Sequence, residues 1–248
     1  MMRSARIIEK RFHEDGFVVI RRPFSSEESR YIQEKLHDFV RTQAHLLKPG
    51  EVYFEEGPSK AVKSIHHLDS YSDYFRRIMA DDRLLERVQG LFPDAQIIPE
   101  AVMFFAKMAG AGSVTHSHQD NAFQHWLPPD ALTVTLAIDE SDPTNGPLIC
   151  RKGSHKLGVL PHCSSGVMGL SRTLIDSVDV EAYPEVALCM KPGDVAFHHV
   201  NTVHRSEANR SSRHRRQLGI GYRSSKASRD SKAYERYIKE PEQLHAKA

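Results

Sequence analysis

The stretch HSHQDNAFQHWLPPDALTVTLAID, residues 116–139, carries two signals side by side. Its second half alternates Leu132, Val134, Leu136 and Ile138 with Thr133, Thr135 and Ala137. A period of two marks a β-strand with two unlike faces. Its first half sets three histidines and one aspartate in eleven positions, beside the only tryptophan of the chain. In extended backbone residues i and i+2 share a face. His118 and Asp120 therefore project together, and Gln119 points away. One imidazole and one carboxylate at that spacing supply two adjacent metal ligands. His116 is a rival partner for His118 and would make an HxH pair of the cupin kind. Alone, an HxD pair is a weak signal.

A third ligand has to come from elsewhere. The stretch HHVNTVHRSEANRSSRHRR, residues 198–216, offers His198, His199, His204 and His214. Two histidines and one carboxylate on one face of an octahedron leave three open positions, the arrangement of non-haem Fe(II) oxygenases. An oxygenase that consumes 2-oxoglutarate also needs a cation for the distal carboxylate of that cosubstrate. The arginines closing this stretch suit the task, because a planar guanidinium meets a carboxylate bidentately and keeps its charge.

Outward from these stretches, AQIIPEAVMFFAK (95–107), VALCM (186–190), VAFHH (195–199) after the turn KPGD, and QLGIGYR (217–223) read as further strands. Upstream the pattern is helical with one strand. Residues 4–14 predict a short helix and GFVVIRR (16–22) a strand. Ser25, three residues before Glu28, opens a helix with a capping box and sets Ile32, Leu36, Phe39 and Val40 on one face. Leu84, Leu85, Val88 and Leu91 predict another helix, stopped by Pro93. Residues 157–184, rich in Gly and Ser, read as a long loop, and loops of that length serve more often as functional covers than as padding.

At 248 residues the chain can bury one sizeable core. A net charge of +2 is too small to point to nucleic acid, and the basic residues crowd instead into 205–216. Three cysteines (Cys150, Cys163 and Cys189), far apart and odd in number, argue against a disulfide scaffold or a thiolate zinc site and predict a cytoplasmic protein. No apolar run has the length of a membrane span, and the start carries no apolar leader core, so no membrane is expected as partner.

Taken together, FHEDGFVVIRRPFS (12–25), HQD (118–120), NGPLICRKGSHKLG (145–158), KPGDVAFHH (191–199) and HRSEANRSSRHRR (204–216) give the chain its likeness to a known family. It resembles the phytanoyl-CoA dioxygenase (PhyH-like) family of Fe(II)/2-oxoglutarate-dependent oxygenases over nearly its whole length. The resemblance implies a mostly β fold with N-terminal helices around a double-stranded β-helix, the jelly roll of the cupins. It implies a single oxygenase domain over 1–248. That divides into a helical buttress with the first strand (1–95), the jelly-roll core (96–225) and a C-terminal helical tail (226–248). The implied iron ligands are His118, Asp120 and a distal histidine that precedes the cosubstrate's arginine by eleven residues. His204 and Arg215 meet that spacing, whereas His198 and His199 have no arginine there.

The same resemblance assigns Ser206, and less directly Lys63, Met103 and Gln119, to 2-oxoglutarate. Asn121, Phe123, Trp126, Arg205 and His66 are expected near the substrate or behind the ligands, with core packing as the alternative for the aromatics. His155 is expected to be structural. The implied reaction consumes O2 and 2-oxoglutarate, releases succinate and CO2, and hydroxylates an unactivated C–H bond of a small molecule. Arg205, with Arg151 and Lys152, suggests an anionic metabolite, a carboxylate or phosphonate. Halogenation is disfavoured because Asp120 is intact. The alternatives are a cupin-like metal-binding protein or isomerase without oxygenase activity, and the same chemistry ending in desaturation, demethylation or ring formation. Oligomeric state is not legible.

Overall fold

The strand read at 131–139 lies at the centre of the larger of two facing sheets. The computed structural model describes residues 2–56, 60–167 and 169–239. The larger sheet runs β1 (Phe17–Ile20), β12 (Val195–His199), β7 (Ala131–Ala137), β14 (Arg215–Ser224), β4 (Ile97–Lys107), β3 (Val62–Ile65) and β2 (Val52–Phe54). The smaller runs β11 (Glu185–Leu188), β8 (Leu148–Arg151), β13 (His204–Ser206) and β5 (Thr115–His118). Every neighbouring pair in both sheets is antiparallel. This is the double-stranded β-helix expected from the sequence.

Strict alternation sorts the larger sheet into two faces. Val102, Phe104 and Ala106 of β4, Leu132, Val134 and Leu136 of β7, Val195 and Phe197 of β12, and Leu218, Ile220 and Tyr222 of β14 form one buried cluster with the helices. The residues between them face the smaller sheet. There Phe17, Ala137 and Ala196 meet Leu148, Cys150, Leu188 and Met190 in a second, smaller core. The rest of the space between the sheets is a cavity. Strand β7 is buried at all seven positions, because its threonine face lines that cavity rather than solvent.

The helices cover the outer face. Helix α1 (Met2–Asp15) leads into β1, and α2 (Ser26–Gln43) opens on the predicted capping box: Ser25 Oγ accepts from Glu28 N, and Glu28 accepts from Ser25 N. Such a cap contributes about 1 kcal/mol. Ile32, Leu36 and Phe39 are its buried apolar residues. Helices α3 (Leu68–Tyr71), α4 (Asp73–Met79) and α5 (Asp82–Leu91) follow, and Tyr222 Oη on β14 donates to Met79 O at 2.9 Å to pin α4.

Two expectations change. The first third contains three strands, not one: β2 and β3 extend the sheet, and residues such as Lys63 and Ser64 had hidden β3 from a hydrophobic pattern. Residues 157–184 are not one long loop but hold a β-hairpin, β9 (His162–Val167) with β10 (Leu170–Leu174). Its strands are polar and only half-buried, so they carry little periodic apolar signal. The expected tail contains helix α7 (Ser231–Lys239), and residues 240–248 lie outside the described residues. A one-turn helix α6 (Asn121–Gln124) and the short pair β6 (Trp126–Leu127) with β15 (Ser228–Arg229) complete the chain.

Candidate metal centre

Strands β5 and β13 run side by side, with His118 directly opposite His204. Their rings lie 4.2 Å apart between centroids. Asp120, two residues beyond His118, turns its carboxylate to both: Oδ1 is 3.5 Å from His204 Nε2 and 3.9 Å from His118 Nε2. One ligand atom from each of the three residues falls within a 4.8 Å span. Each histidine is held by its other nitrogen. His118 Nδ1 hydrogen-bonds the His116 carbonyl at 2.7 Å, and His204 Nδ1 the Thr202 carbonyl at 2.9 Å. Nδ1 thus carries the proton, and the Nε2 lone pair faces the centre.

The charge states suit ligation. Burial, with His118 next to it, pushes His204 down to about 3, and burial also lowers His118. Both imidazoles are neutral near pH 7. Burial works against the Asp120 carboxylate, but His204, His198 and His118 around it outweigh that, and its carboxyl lies well below the ordinary range. The far oxygen, Oδ2, accepts from Thr133 Oγ1 at 2.6 Å and from His198 Nε2 at 3.1 Å. That clamp leaves Oδ1 to turn inward.

The centre sits in a cavity of about 130 Å³, and Arg215 lines the same space. Arg215 is 4% exposed. Its Nε donates to Gly146 O at 2.9 Å and its terminal nitrogen reaches Ser206 Oγ at 3.5 Å. Burial lowers its pKa to about 10, so it remains a cation. No ion pair to it is found among the described residues. Arg216, one position on, points the other way and forms a forked pair with Asp139 at 2.8 and 2.9 Å. Arg213 is held outside by Glu140 and Asp142.

The sequence profile of the family described as phytanoyl-CoA dioxygenase (PhyH) matches residues 12–217. The chain belongs to that family. Membership makes this protein a dioxygenase by descent, and its relatives fall in line. A probable alpha-ketoglutarate-dependent hypophosphite dioxygenase of Stutzerimonas stutzeri is 27% identical over 221 residues, covering 86% of this chain and 77% of that one. An ectoine dioxygenase of Sphingopyxis alaskensis is 26% identical over 216 residues, covering 80% and 69%. The crystal structure of EctD from S. alaskensis with bound Fe superposes with a TM-score of 0.73 at 23% identity, over 90% of this chain and 76% of that one.

Within this PhyH-family frame, the residues singled out from the sequence divide. His118, Asp120, His204, Arg215, Ser206, Lys63 and Met103 all line the one cavity. Gln119 does not, which corrects its assignment to the cosubstrate. Its amide donates to Gly158 O and Asn201 O and accepts from Leu160 N, tying down the chain before β9. Asn121 is likewise spent on backbone, bonding both N and O of Trp126. Trp126 itself packs with Ala131, Val200 and Ala227 beneath Arg223 and Arg229, away from the cavity. Phe123 stands edge-on behind His118, with ring centroids 5.8 Å apart. His66 is packed between Tyr53 and Phe105 rather than open to the cavity, and burial pushes it down to about 4.

The rival histidines are also placed. His116 is exposed, because an irregularity in the β5–β13 pairing breaks the alternation that would have put it beside His118. His199 accepts from Asn201 N and packs near Phe12 and His155. His155 is structural as expected, bonding the His13 carbonyl. His198, set aside on spacing from arginine, proves to hold Asp120 together with Thr133. Its place on VAFHH alternates with Val195 and Phe197, the only signal that could have turned it toward the cavity. If these three atoms hold a divalent cation, His198→Ala should weaken its binding roughly tenfold to a hundredfold, as loss of partners behind ligands does. Titration of Mn(II) into wild type and variant measures this.

Proposed function

We propose that the protein is an Fe(II)- and 2-oxoglutarate-dependent dioxygenase that hydroxylates an unactivated C–H bond of a small molecule. Substrate, O2 and 2-oxoglutarate go in; the hydroxylated product, succinate and CO2 come out. The observation that carries this reading is the pairing, inside one cavity, of a two-histidine, one-carboxylate cluster with a buried guanidinium that has no carboxylate of its own. Imidazole nitrogen with carboxylate oxygen suits Fe(II). A dicarboxylate keto acid fits the remainder, with its keto-acid end toward the metal and its far carboxylate toward Arg215. The exposed His116 weighs against a cupin-like HxH site.

When bound, the iron and 2-oxoglutarate supply the oxidising chemistry on O2. The chain's own part is placement. His118 and His204 present Nε2, and Asp120 presents Oδ1 because Thr133 and His198 occupy its other oxygen. Arg215 and Ser206 receive the distal carboxylate. Gly169 and Leu170 at the tip of the β9–β10 hairpin close one side of the cavity and keep water out.

The anionic substrate expected from Arg205, Arg151 and Lys152 loses its basis. Arg205 forms a fork on Glu185 at 2.7 and 2.8 Å and also pairs with Glu207; Arg151 reaches Glu185 at 3.2 Å; Lys152 reaches Asp15 at 3.4 Å. Each cation already has a carboxylate of the same chain, a pairing that residue order does not reveal. The substrate class we propose is accordingly a small metabolite, of the scale of the hypophosphite and ectoine in the relatives' names. Three unpaired cysteines fit a reducing, cytoplasmic setting, and no described helix is long and apolar enough to cross a membrane.

Anaerobic addition of 2-oxoglutarate to Fe(II)-loaded protein should produce the visible charge-transfer absorption of a chelated keto acid. Zn(II)-loaded protein should not show it. Folded, Fe(II)-loaded protein without the band would refute the reading.

A further inference from the structure

Directly across the β4–β14 pair from Arg215 stands Lys107. Residues opposite each other in an antiparallel pair project to the same face within a few ångströms, and like charges so placed repel. Both are 4% exposed, so water does little to screen them. Two cations buried side by side form an unfavourable arrangement unless an anion joins them.

The position of Lys107 is built, not incidental. Its stem is clamped between two glycines. A Cβ on Gly112 would lie 2.6 Å from Lys107 Cβ, and one on Gly146 would lie 2.9 Å from Lys107 Cδ. Gly146 is also the residue whose carbonyl accepts from Arg215 Nε. The two cations are thus fixed by the same backbone turn. Asn209 holds the Lys107 carbonyl at 2.8 Å. The ammonium rests on Ser113 O and near Thr115 Oγ1 at 3.4 Å, and Lys107 lines the cavity with Arg215 and Ser206.

We propose that Lys107 is a further cation of the distal-carboxylate site, beyond Arg215 and the Lys63 that the family resemblance assigns to 2-oxoglutarate, and that it grips the carboxylate together with Arg215. This rests on the 2-oxoglutarate reading above and adds a residue and a property to it. Lys107 is pushed down to about 7, first by burial and next by Arg215. Glu55 and Glu207 oppose that shift and Lys63 adds to it. These, with the neutral Ser113 and Thr115, are the groups that face the ammonium. An arriving carboxylate restores the charged form, so 2-oxoglutarate should bind with uptake of a proton. The sign follows from a lowered lysine: the protonated form that attracts the anion prevails below pH 7. Affinity therefore falls as pH rises from 7 toward 9.

The test is calorimetric titration of 2-oxoglutarate, and separately of pyruvate, into anaerobic Mn(II)-loaded protein at pH 6.5 and 8.5, in buffers of different ionisation enthalpy. Lys107→Met should weaken 2-oxoglutarate binding at pH 6.5 roughly tenfold to a hundredfold, the scale of a hydrogen bond to a charged group. It should abolish the proton uptake and leave pyruvate, which lacks the distal carboxylate, unaffected. Lys107→Arg should keep the affinity and lose the pH dependence. Thermal unfolding adds a second reading: relief of the buried repulsion should leave ligand-free Lys107→Met at least as stable as wild type, with a smaller rise in Tm on adding 2-oxoglutarate. Unchanged 2-oxoglutarate affinity in Lys107→Met, or equal loss for pyruvate, overturns the inference alone. Wild type that binds no 2-oxoglutarate overturns the reading beneath it as well.

Discussion

Alanine at His118, Asp120 or His204 is expected to take succinate formation down to background, while His116→Ala and His199→Ala keep most of it. The three ligand atoms share a 4.8 Å span, and nothing else among the described histidines, cysteines and carboxylates enters that cluster. Removing one breaks the set of two histidines and one carboxylate that this oxygenase chemistry uses. Asp120→Ala carries an additional cost, since Thr133 and His198 lose the carboxylate they both donate to. His116 offers the site only its carbonyl, which alanine retains. Succinate measured with Fe(II), O2 and 2-oxoglutarate reads the activity, and far-ultraviolet circular dichroism shows that each variant is folded. If His116→Ala proved as damaging as His118→Ala, the HxH alternative would replace this ligand set.

Arg215→Lys is expected to raise the KM for 2-oxoglutarate by roughly ten- to a thousandfold with the fold intact. Lysine keeps a charge but not the fork, and it cannot donate to Gly146 O and Ser206 Oγ while also meeting both oxygens of a carboxylate. Losing a bidentate pair in a desolvated pocket costs ~2–5 kcal/mol, much of it the penalty of a carboxylate buried without its partner. The neighbouring arginines are the controls. Arg216 spends its guanidinium on Asp139 and Arg213 on Glu140 and Asp142, so lysine at either should change that KM little. Should Arg213→Lys or Arg216→Lys raise it while Arg215→Lys does not, a different arginine holds the cosubstrate.

The parts of the site that could be read from residue order are those set by spacing along one strand. HxD and the alternation in 131–139 are local signals of this kind, whereas the jelly roll and the eleven-residue step from His204 on β13 to Arg215 on β14 came from the resemblance to the family. What could not be read depends on which strands lie side by side. Glu185 neutralises Arg205 only because β11 and β13 both flank β8. His198 reaches Asp120 only because β12 packs against β7, which carries Thr133. Lys107 meets Arg215 through a register between strands about a hundred residues apart. The pairing irregularity that turns His116 outward is a two-strand property as well. For Gln119 and Arg205, parity along the strand already pointed away from the ligands, and both side chains follow it.

The two-faced strands β4, β7 and β14 also say how this chain can tolerate change. A substitution alters one position on one face. A single inserted or deleted residue in Ala131–Ala137 would exchange the faces beyond it, sending leucines to the metal and threonines into the helix-covered core. The same frameshift in Arg215–Ser224 would exchange Arg215 with Arg216, and with it a cavity cation for one bound to Asp139. The β9–β10 hairpin is anchored differently: its pairing already contains a register shift, His162 accepts from Gln119 N and Thr173 donates to Ser117 O, and among the described residues Gly169 and Leu170 are its part that lines the cavity. Insertions and deletions at the turn between these two anchors can therefore reshape the substrate's side of the cavity, while the three core strands hold their length.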